Sequence, residues 1–414
     1  MKKHSLKTTL SLALGSGLEY YDFVIYGLMI KYTGAIFFSS ADKYSGVMQV
    51  FVTFAIGYIM RPVGGFIFGI VADMYGRSKV IIVSMLVMTI STFSIGMLPT
   101  YEQVGILAPI LLIICRLFQG ISFGAELPGA ITIIAESTKN KLGKMCSLVL
   151  SGTTIGSLLA MATITVISNK FNTQEMHDYM WRIPFLIGGV LAVIAYFIRR
   201  NIAETSEYLE LQNTEKSLKS IINLLRINIV SILIGIGITF FMATLIITNL
   251  YFPVYISRNF SYEMSEIFFA MTNSMIASII FMISFGWVSD YVSKLKQLLF
   301  AIIGFSISLV PLYYLLKQGT FSSLQLFFII YQFWIAVFTS SCMPIISKLL
   351  PTSIRYTGTA LIYNIAFSLA SFLPPIYEYL FAAGNPAYLG CFFIFAAIIA
   401  MISLKERSRF VMND

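Results

Sequence analysis

Long apolar runs recur from one end of the chain to the other, and no other feature narrows the possible folds as far. Val47–Ile59, Val80–Met97, Ile183–Ile198, Ile229–Thr248 and Leu389–Leu404 are examples. With their less apolar flanks, such runs reach the roughly 20 residues a helix needs to cross a hydrocarbon core of about 30 Å. Lipid offers no partner to an open strand edge, so repeated runs of this length mean helices, not sheets. Composition agrees: 57% of the 414 residues are hydrophobic and 11% are charged, too few charges to cover a soluble surface of this size. The pattern predicts twelve spans, near 8–38, 45–72, 79–98, 105–135, 143–168, 182–200, 228–256, 263–290, 297–317, 323–350, 357–382 and 385–404. The expected fold class is an all-α membrane protein of twelve transmembrane helices, with no connection long enough for a soluble domain.

The net charge of +9 has a topological meaning. Lys2, Lys3, Lys7, Arg77, Lys79, Lys139, Lys141, Lys144, Arg199, Arg200, Lys216, Lys219, Arg226, Lys294, Lys296, Lys348, Arg355, Lys405, Arg407 and Arg409 all fall on one side of a twelve-span topology. The other side has Lys43, Lys170, Arg182, Arg258 and Lys317. The positive-inside rule then places both termini in the cytosol. Short loops suit a bacterial inner membrane, and nucleic-acid binding is not expected. Cys115, Cys146, Cys342 and Cys391 lack paired spacing, and His4 and His177 are isolated, so neither a disulfide framework nor a metal site is expected. Glu19 and Asp22 interrupt the first apolar run and no small-residue cleavage site stands out, so that run reads as a first transmembrane helix, not a cleaved signal.

The chain repeats itself. Gly69-Ile-Val-Ala-Asp73-Met-Tyr-Gly76-Arg77-Ser-Lys79 follows the second span, and Gly286-Trp-Val-Ser-Asp290-Tyr-Val-Ser293-Lys294-Leu-Lys296 follows the eighth. Both glycine and aspartate are offset by 217 residues (286 − 69 and 290 − 73). Two six-helix halves follow, at 1–200 and 228–414, joined by a polar linker at 201–227. Transporters built from such repeats place their binding site near the bilayer midplane between the halves. Gly69 permits close helix packing, Gly76 a tight turn, and Asp73 can sit against a helix amino terminus or a basic side chain of the opposite half. With Arg77, Gly286 and Asp290, these residues form the candidate cytosolic gate. The alternative is a hydrophilic loop that only fixes topology.

Glu19, Asp22, Lys31, Arg61, Arg116 and Glu126 fall inside spans, where an ionisable group is costly and normally faces a cavity or a partner. At 1.5 Å per residue, Glu19, Arg61 and Glu126 lie ~16, ~18 and ~14 Å from the cytosolic ends of their helices, at a shared level. Glu19 and Asp22 are three apart and project from one face of helix 1, as Arg116, Gln119, Phe123 and Glu126 share a face of helix 4. Glu19, Asp22, Arg61, Arg116 and Glu126 are the candidate proton-coupling residues, and static ion pairing is the competing account. Lys31 is expected to snorkel. The second half lacks buried charge and offers Asn249, Asn273, Gln325, Tyr331, Gln332, Trp334, Tyr363 and Asn364, joined by Tyr26 and Gln119 from the first half as candidate substrate contacts. Tyr331 and Trp334, three apart, are candidates for an aromatic cage around an ammonium group.

The loop G-x-x-x-D-x-x-G-R-x-K resembles the signature of the major facilitator superfamily. Further segments narrow the resemblance: Gly15-Ser-Gly-Leu-Glu19-Tyr-Tyr-Asp22-Phe23, Arg61-Pro62-Val-Gly64-Gly65, Arg116-Leu-Phe-Gln119-Gly120-Ile-Ser-Phe-Gly124-Ala-Glu126, Trp181-Arg182-Ile-Pro184-Phe185, Glu204-Thr205, Asn249-Leu-Tyr251-Phe-Pro253-Val-Tyr255, and Pro351 with Arg355. In this order they are similar to the metabolite:proton symporter family, in particular its proline/glycine-betaine transporters, over nearly the whole chain. The resemblance implies proton-coupled uptake of an osmolyte, dicarboxylate or related acid, with Glu19, Asp22, Arg116 and Glu126 at charged positions of the pathway. Ser16 and Tyr20 stand where that family often has Asn and Trp, and Ala125 where it has glycine. The family's extended osmosensory members carry a carboxy-terminal heptad extension that is missing here, so osmotic regulation of that kind is not expected.

The expectation is therefore a monomeric, non-enzymatic importer of a small polar metabolite, working by alternating access with protons as coupling ion and no other cofactor. An exchanger or exporter without net proton coupling is the rival within the class, and a ligand-binding membrane sensor the rival outside it. No catalytic constellation, metal-ligand cluster or nucleotide loop suggests an enzyme.

Overall fold

The computed structural model describes residues 2–38, 43–138, 140–200, 202–210, 217–382 and 388–411. Twelve long helices dominate them. They are α1 (Lys2–Leu28), α2 (Lys43–Tyr75), α3 (Arg77–Met97), α4 (Leu107–Ser137), α5 (Leu142–Lys170) and α6 (Arg182–Arg199), then α7 (Ile229–Asn259), α8 (Met264–Val288), α9 (Lys294–Lys317), α10 (Phe321–Ile346), α11 (Arg355–Ala370) and α12 (Tyr388–Val411). Among the described residues there is no strand. Among the described residues eleven regions are long and apolar enough to cross a bilayer, and α1 is not one of them. Its lysines, Glu19 and Asp22 dilute its hydropathy, although 27 residues give ample length, at ~40 Å. Its face bearing Glu19 and Asp22 is buried, while Leu6, Leu10 and Leu14 on another face are exposed.

Two expected spans are broken. The first pauses at Met29 before a short helix Ile30–Phe37. The eleventh stops at Ala370, turns at Ser371–Phe372 and resumes at Leu373–Ala382. Pro374 and Pro375 lack the N–H groups that would continue α11, and Pro clashes with the preceding turn. The side chain of Lys31 lies outside the described residues, and so do residues 201 and 211–216 of the linker. The rest of the linker holds two short helices, Ser206–Glu210 and Leu218–Ile227.

Packing follows the repeat. α1 lies along α5 and α6 as α7 lies along α11 and α12; α2 packs on α4 as α8 packs on α10; α3 packs on α4 as α9 packs on α10. Symmetry-related contacts join the halves: chiefly α2 on α11 and α8 on α5, with α4 on α11 and α10 on α5 beside them. Burial separates central from peripheral helices: α10 buries 72% of its apolar window, α9 only 28%. Ile307 and Val310 on α9 are among the side chains that face outward, as lipid contact requires.

Small residues set how closely α1 meets α5. A Cβ on Gly156 would fall 1.7 Å from the Gly17 carbonyl oxygen, and one on Gly152 2.2 Å from that of Ala13. Helices that gain nothing from a hydrophobic drive in lipid associate through such close backbone approach.

Candidate functional site

The charged residues of α1, α4 and α6 converge on a cavity of about 10 Å³, lined by Gly15, Leu18, Glu19, Asp22, Met85, Met88, Glu126, Ala192 and Ala195. Glu19, Asp22 and Glu126 are all buried. The fourth charged side chain there is Arg199, the last residue of α6, which sequence reasoning placed among the cytosolic flanks. It is instead fully buried. Its Nη1 donates to Glu126 Oε2 at 2.9 Å, and its Nη2 donates to the Leu12 carbonyl at 3.0 Å and to Ser16 Oγ at 3.2 Å. The signal was present: Gly188, Ala192, Ala195 and Arg199 recur at helical spacing along the buried stripe of α6, while Arg200 points out. Asp22 rests against Gly188 and Thr92. Neither its oxygens nor those of Glu19 make a hydrogen bond of normal geometry.

A polar chain runs on from Thr92. Gln119 Nε2 donates to Thr92 Oγ1 at 2.7 Å, and Arg116 Nη1 donates to Gln119 Oε1 at 2.8 Å. The Arg116 guanidinium lies 3.9 Å from the Tyr26 ring centroid and 5.8 Å from that of Phe23. Asp22, Thr92, Gln119, Arg116 and Tyr26 thus form one continuous group spanning α1, α3 and α4.

Arg61 sits where the halves meet. Its guanidinium is surrounded by Phe123 (4.3 Å), Tyr58 (5.3 Å) and Phe23 (6.0 Å) from the first half, and Phe367 (5.4 Å) and Tyr363 (5.6 Å) from the second. Arg61 Nε donates to Asn364 Oδ1 at 3.3 Å, while Asn364 Nδ2 donates to the Gly124 and Ala360 carbonyls. Tyr20 and Tyr363 hydroxyls meet across the halves at 3.1 Å. Arg61 is only 2% exposed, and among the described residues no carboxylate pairs with it. Cation–π contact stabilises such a desolvated guanidinium by about 2 kcal/mol.

The other candidate contacts lie apart. Tyr331 donates to the Leu245 carbonyl at 2.8 Å and packs against Phe252, Phe305, Phe327 and Phe393. Trp334 lies over Gly304 of α9 and against Phe300. Both turn into the second half, so these two residues do not build the expected ammonium cage; the rings gather around Arg61 instead. Asn273 and Gln325 bond to one another on α8 and α10. Asn249 and Gln332 are buried, and Asn249 Oδ1 has no hydrogen-bond partner among the described residues.

The end that carries the basic residues is latched twice, by the same device. Asp73 accepts from Thr357 N at 2.9 Å, Thr357 Oγ1 at 2.6 Å and Tyr356 N at 3.4 Å, at the amino terminus of α11. Asp290 accepts from Gly143 N at 2.7 Å and Lys144 N at 3.0 Å, at the amino terminus of α5. Each aspartate thereby neutralises unsatisfied N–H groups at a helix start in the other half. Gly69 lies against the Thr357 backbone and Gly286 against Ser147, and Gly76 adopts φ 122°, open to glycine alone. Arg77, fully buried, pairs with Asp73 at 3.1 Å and Glu136 at 3.2 Å and donates to the Thr352 carbonyl. Arg355 joins Glu136 at 3.4 Å to Glu207 at 2.6 Å.

Twelve helices in two interlocked halves, with buried charge at the centre and matched latches at one end, define a polytopic membrane transporter. The family model of the major facilitator superfamily matches residues 12–375, and the chain belongs to that superfamily. It is 28% identical to the proline/betaine transporter of Escherichia coli strain K12 over 97% of this chain and 83% of that one, and equally to the proline/betaine transporter of Salmonella typhimurium strain LT2. Among solved structures it is similar to the proton:xylose symporter XylE bound to 6-bromo-6-deoxy-D-glucose, with a TM-score of 0.83 at 15% identity over 99% of this chain and 96% of the other.

Proposed function

We propose that this transporter is a proton-coupled importer of a small polar metabolite carrying a carboxylate, such as proline, betaine or a carboxylic acid. It works by alternating access between the halves 1–200 and 228–414, in a bacterial inner membrane with the basic end and both termini in the cytosol. The observation that carries the substrate reading is Arg61: a buried guanidinium at the junction of the halves, ringed by aromatic side chains from both and lacking a carboxylate partner. A substrate carboxylate supplies that counterion, because a charge-assisted hydrogen bond in a dry site is worth more than the single contact to Asn364. The rings that hold the guanidinium also suit the cationic end of a zwitterion, and the names of the relatives support that choice.

Coupling is assigned to Asp22. Its carboxyl is buried, has no ion pair, and connects through Thr92 and Gln119 to Arg116. A proton arriving at Asp22, or a movement of α1 against α3, alters that chain and so biases which end opens. The experiment is counterflow in proteoliposomes with labelled proline, glycine betaine, citrate, 2-oxoglutarate and shikimate, for wild type and Arg61→Gln. Exchange of a carboxylated compound, lost in Arg61→Gln while the protein remains folded, supports the assignment. Undiminished exchange in the variant contradicts it.

A further inference from the structure

The chamber between α1, α4 and α6 holds three carboxyl groups and one arginine. Arg199 commits its donors to Glu126, Leu12 and Ser16, and its Nε lies over the Gly15 backbone; none reaches Glu19. Among the described residues no other donor makes a hydrogen bond of normal geometry with Glu19. Ser122 donates to the Ser84 carbonyl and Tyr356 donates to the Ala125 carbonyl at 2.9 Å, while Arg61 donates through Nε to Asn364 and its Nη2 makes no hydrogen bond to Glu19. The remaining walls are Leu18, Met85, Met88, Ala192 and Ala195. Glu126 Oε1, turned away from Arg199, accepts no hydrogen bond of normal geometry either. Two carboxylates on one small cavity, with a single guanidinium bound to only one of them, would leave an uncompensated negative charge in a dry interior, the arrangement that buried acids resolve by keeping a proton.

We propose that Glu19 is protonated in the resting protein and donates its proton to Glu126 Oε1, while Arg199 holds the ionised Glu126 from its other side. Glu19 and Glu126 thus form a carboxyl–carboxylate pair that binds one proton between α1 and α4, separate from Asp22. The water-sized cavity that also touches Asp22 lets a single water connect the two sites, since it offers such a molecule carboxyl partners on three sides. Arg199 is a positioning residue: it selects which of the two glutamates is ionised. The inference rests on the reading of this chamber as the proton-handling side of the transporter, yet it concerns the resting protein and is measured without transport.

The test is infrared spectroscopy of the purified full chain at neutral pH, without substrate, read as the carboxylic C=O stretch and its shift in D₂O. The pair predicts a band that moves when the protein is grown with ¹³C-glutamate and stays put with ¹³C-aspartate. The band disappears in Glu19→Gln and persists in Asp22→Asn. Glu19→Gln keeps the donor to Glu126, so its melting temperature stays at the wild-type value, while Glu126→Gln strips Arg199 of its counterion and melts earlier. The absence of any band that follows glutamate labelling, or a glutamate band that survives Glu19→Gln, overturns the pair, and isotope labelling decides even if a variant fails to fold. A band abolished by sodium ions would show a cation site instead and also overturns it. Transport indifferent to a proton gradient, with the glutamate band intact, would sink the coupling assignment and leave the pair standing.

Discussion

At Asp22 the side chain is buried at the level of a helix packing contact, with Gly188 leaving just the room its carboxyl needs. Asp22→Asn keeps the shape and removes the titratable group. It should abolish uphill accumulation and leave counterflow intact, and uphill uptake at the normal rate in that variant would remove Asp22 from the coupling step. Arg116→Ala should express and fold but lose transport at least tenfold, because it empties the Tyr26 face and frees Gln119 from its orientation; unchanged kcat/KM would make Arg116 a static brace. Much at this scale was legible. Charge inside an apolar run marked Glu19, Asp22, Arg61, Arg116 and Glu126, and i, i+3 spacing put pairs of them on shared faces. Partner choice was not legible, since a face says nothing about which neighbour it meets. Arg199 shows the loss most clearly: lying one residue past an apolar run, it read as a flank, while the folded helix carries it inward to Glu126. The aromatic shell of Arg61 was missed for the same reason, as Tyr58, Phe123 and Phe367 looked like ordinary packing groups among 35 Phe and 23 Tyr.

Helices here are set by hydropathy, and their distances apart by glycine. The contact of α1 with α5 depends on Gly17, Gly152 and Gly156, where backbone meets backbone. Gly156→Leu should push the two helices apart and lower the melting temperature, with overpacking of this kind costing about 1–3 kcal/mol; a fluorescence-monitored thermal melt that matches wild type would show that α1 docks without that contact. Span positions were readable from sequence because apolar length is imposed by the bilayer itself. Interruptions were harder. Pro374 and Pro375 end α11 early, whereas Pro62 and Pro128 sit within continuous α2 and α4. Neighbouring helices compensate a missing N–H in the second case, and such compensation is a property of the packed bundle, not of the segment.

Across the whole molecule, the two latches are the repeat made visible. Loops 217 residues apart place Asp73 on α11 and Asp290 on α5, each at a helix start of the opposite half. Sequence reasoning reached the two aspartates, and for Asp73 it left a helix amino terminus and a basic side chain of the opposite half both open as partners. It could not pick α11 and α5, since docking of the halves depends on surfaces hundreds of residues apart. Hydrogen bonds to a charged group contribute about 1.5–3 kcal/mol each, so Asp290→Asn should shift the equilibrium toward an open basic end by about tenfold or more. Cys146, fully buried on α5 beside this latch, is a built-in reporter. Its alkylation, followed by mass spectrometry, should rise in Asp290→Asn, and equal labelling would mean that the latch does not hold the closed state. The central claim is that a proton gradient drives substrate through this fold. Uptake of a labelled carboxylated substrate into proteoliposomes with an imposed inward proton gradient tests it most directly. The account predicts accumulation above the external concentration that a protonophore collapses; counterflow alone, indifferent to the protonophore, would contradict it and make the buried carboxyls structural.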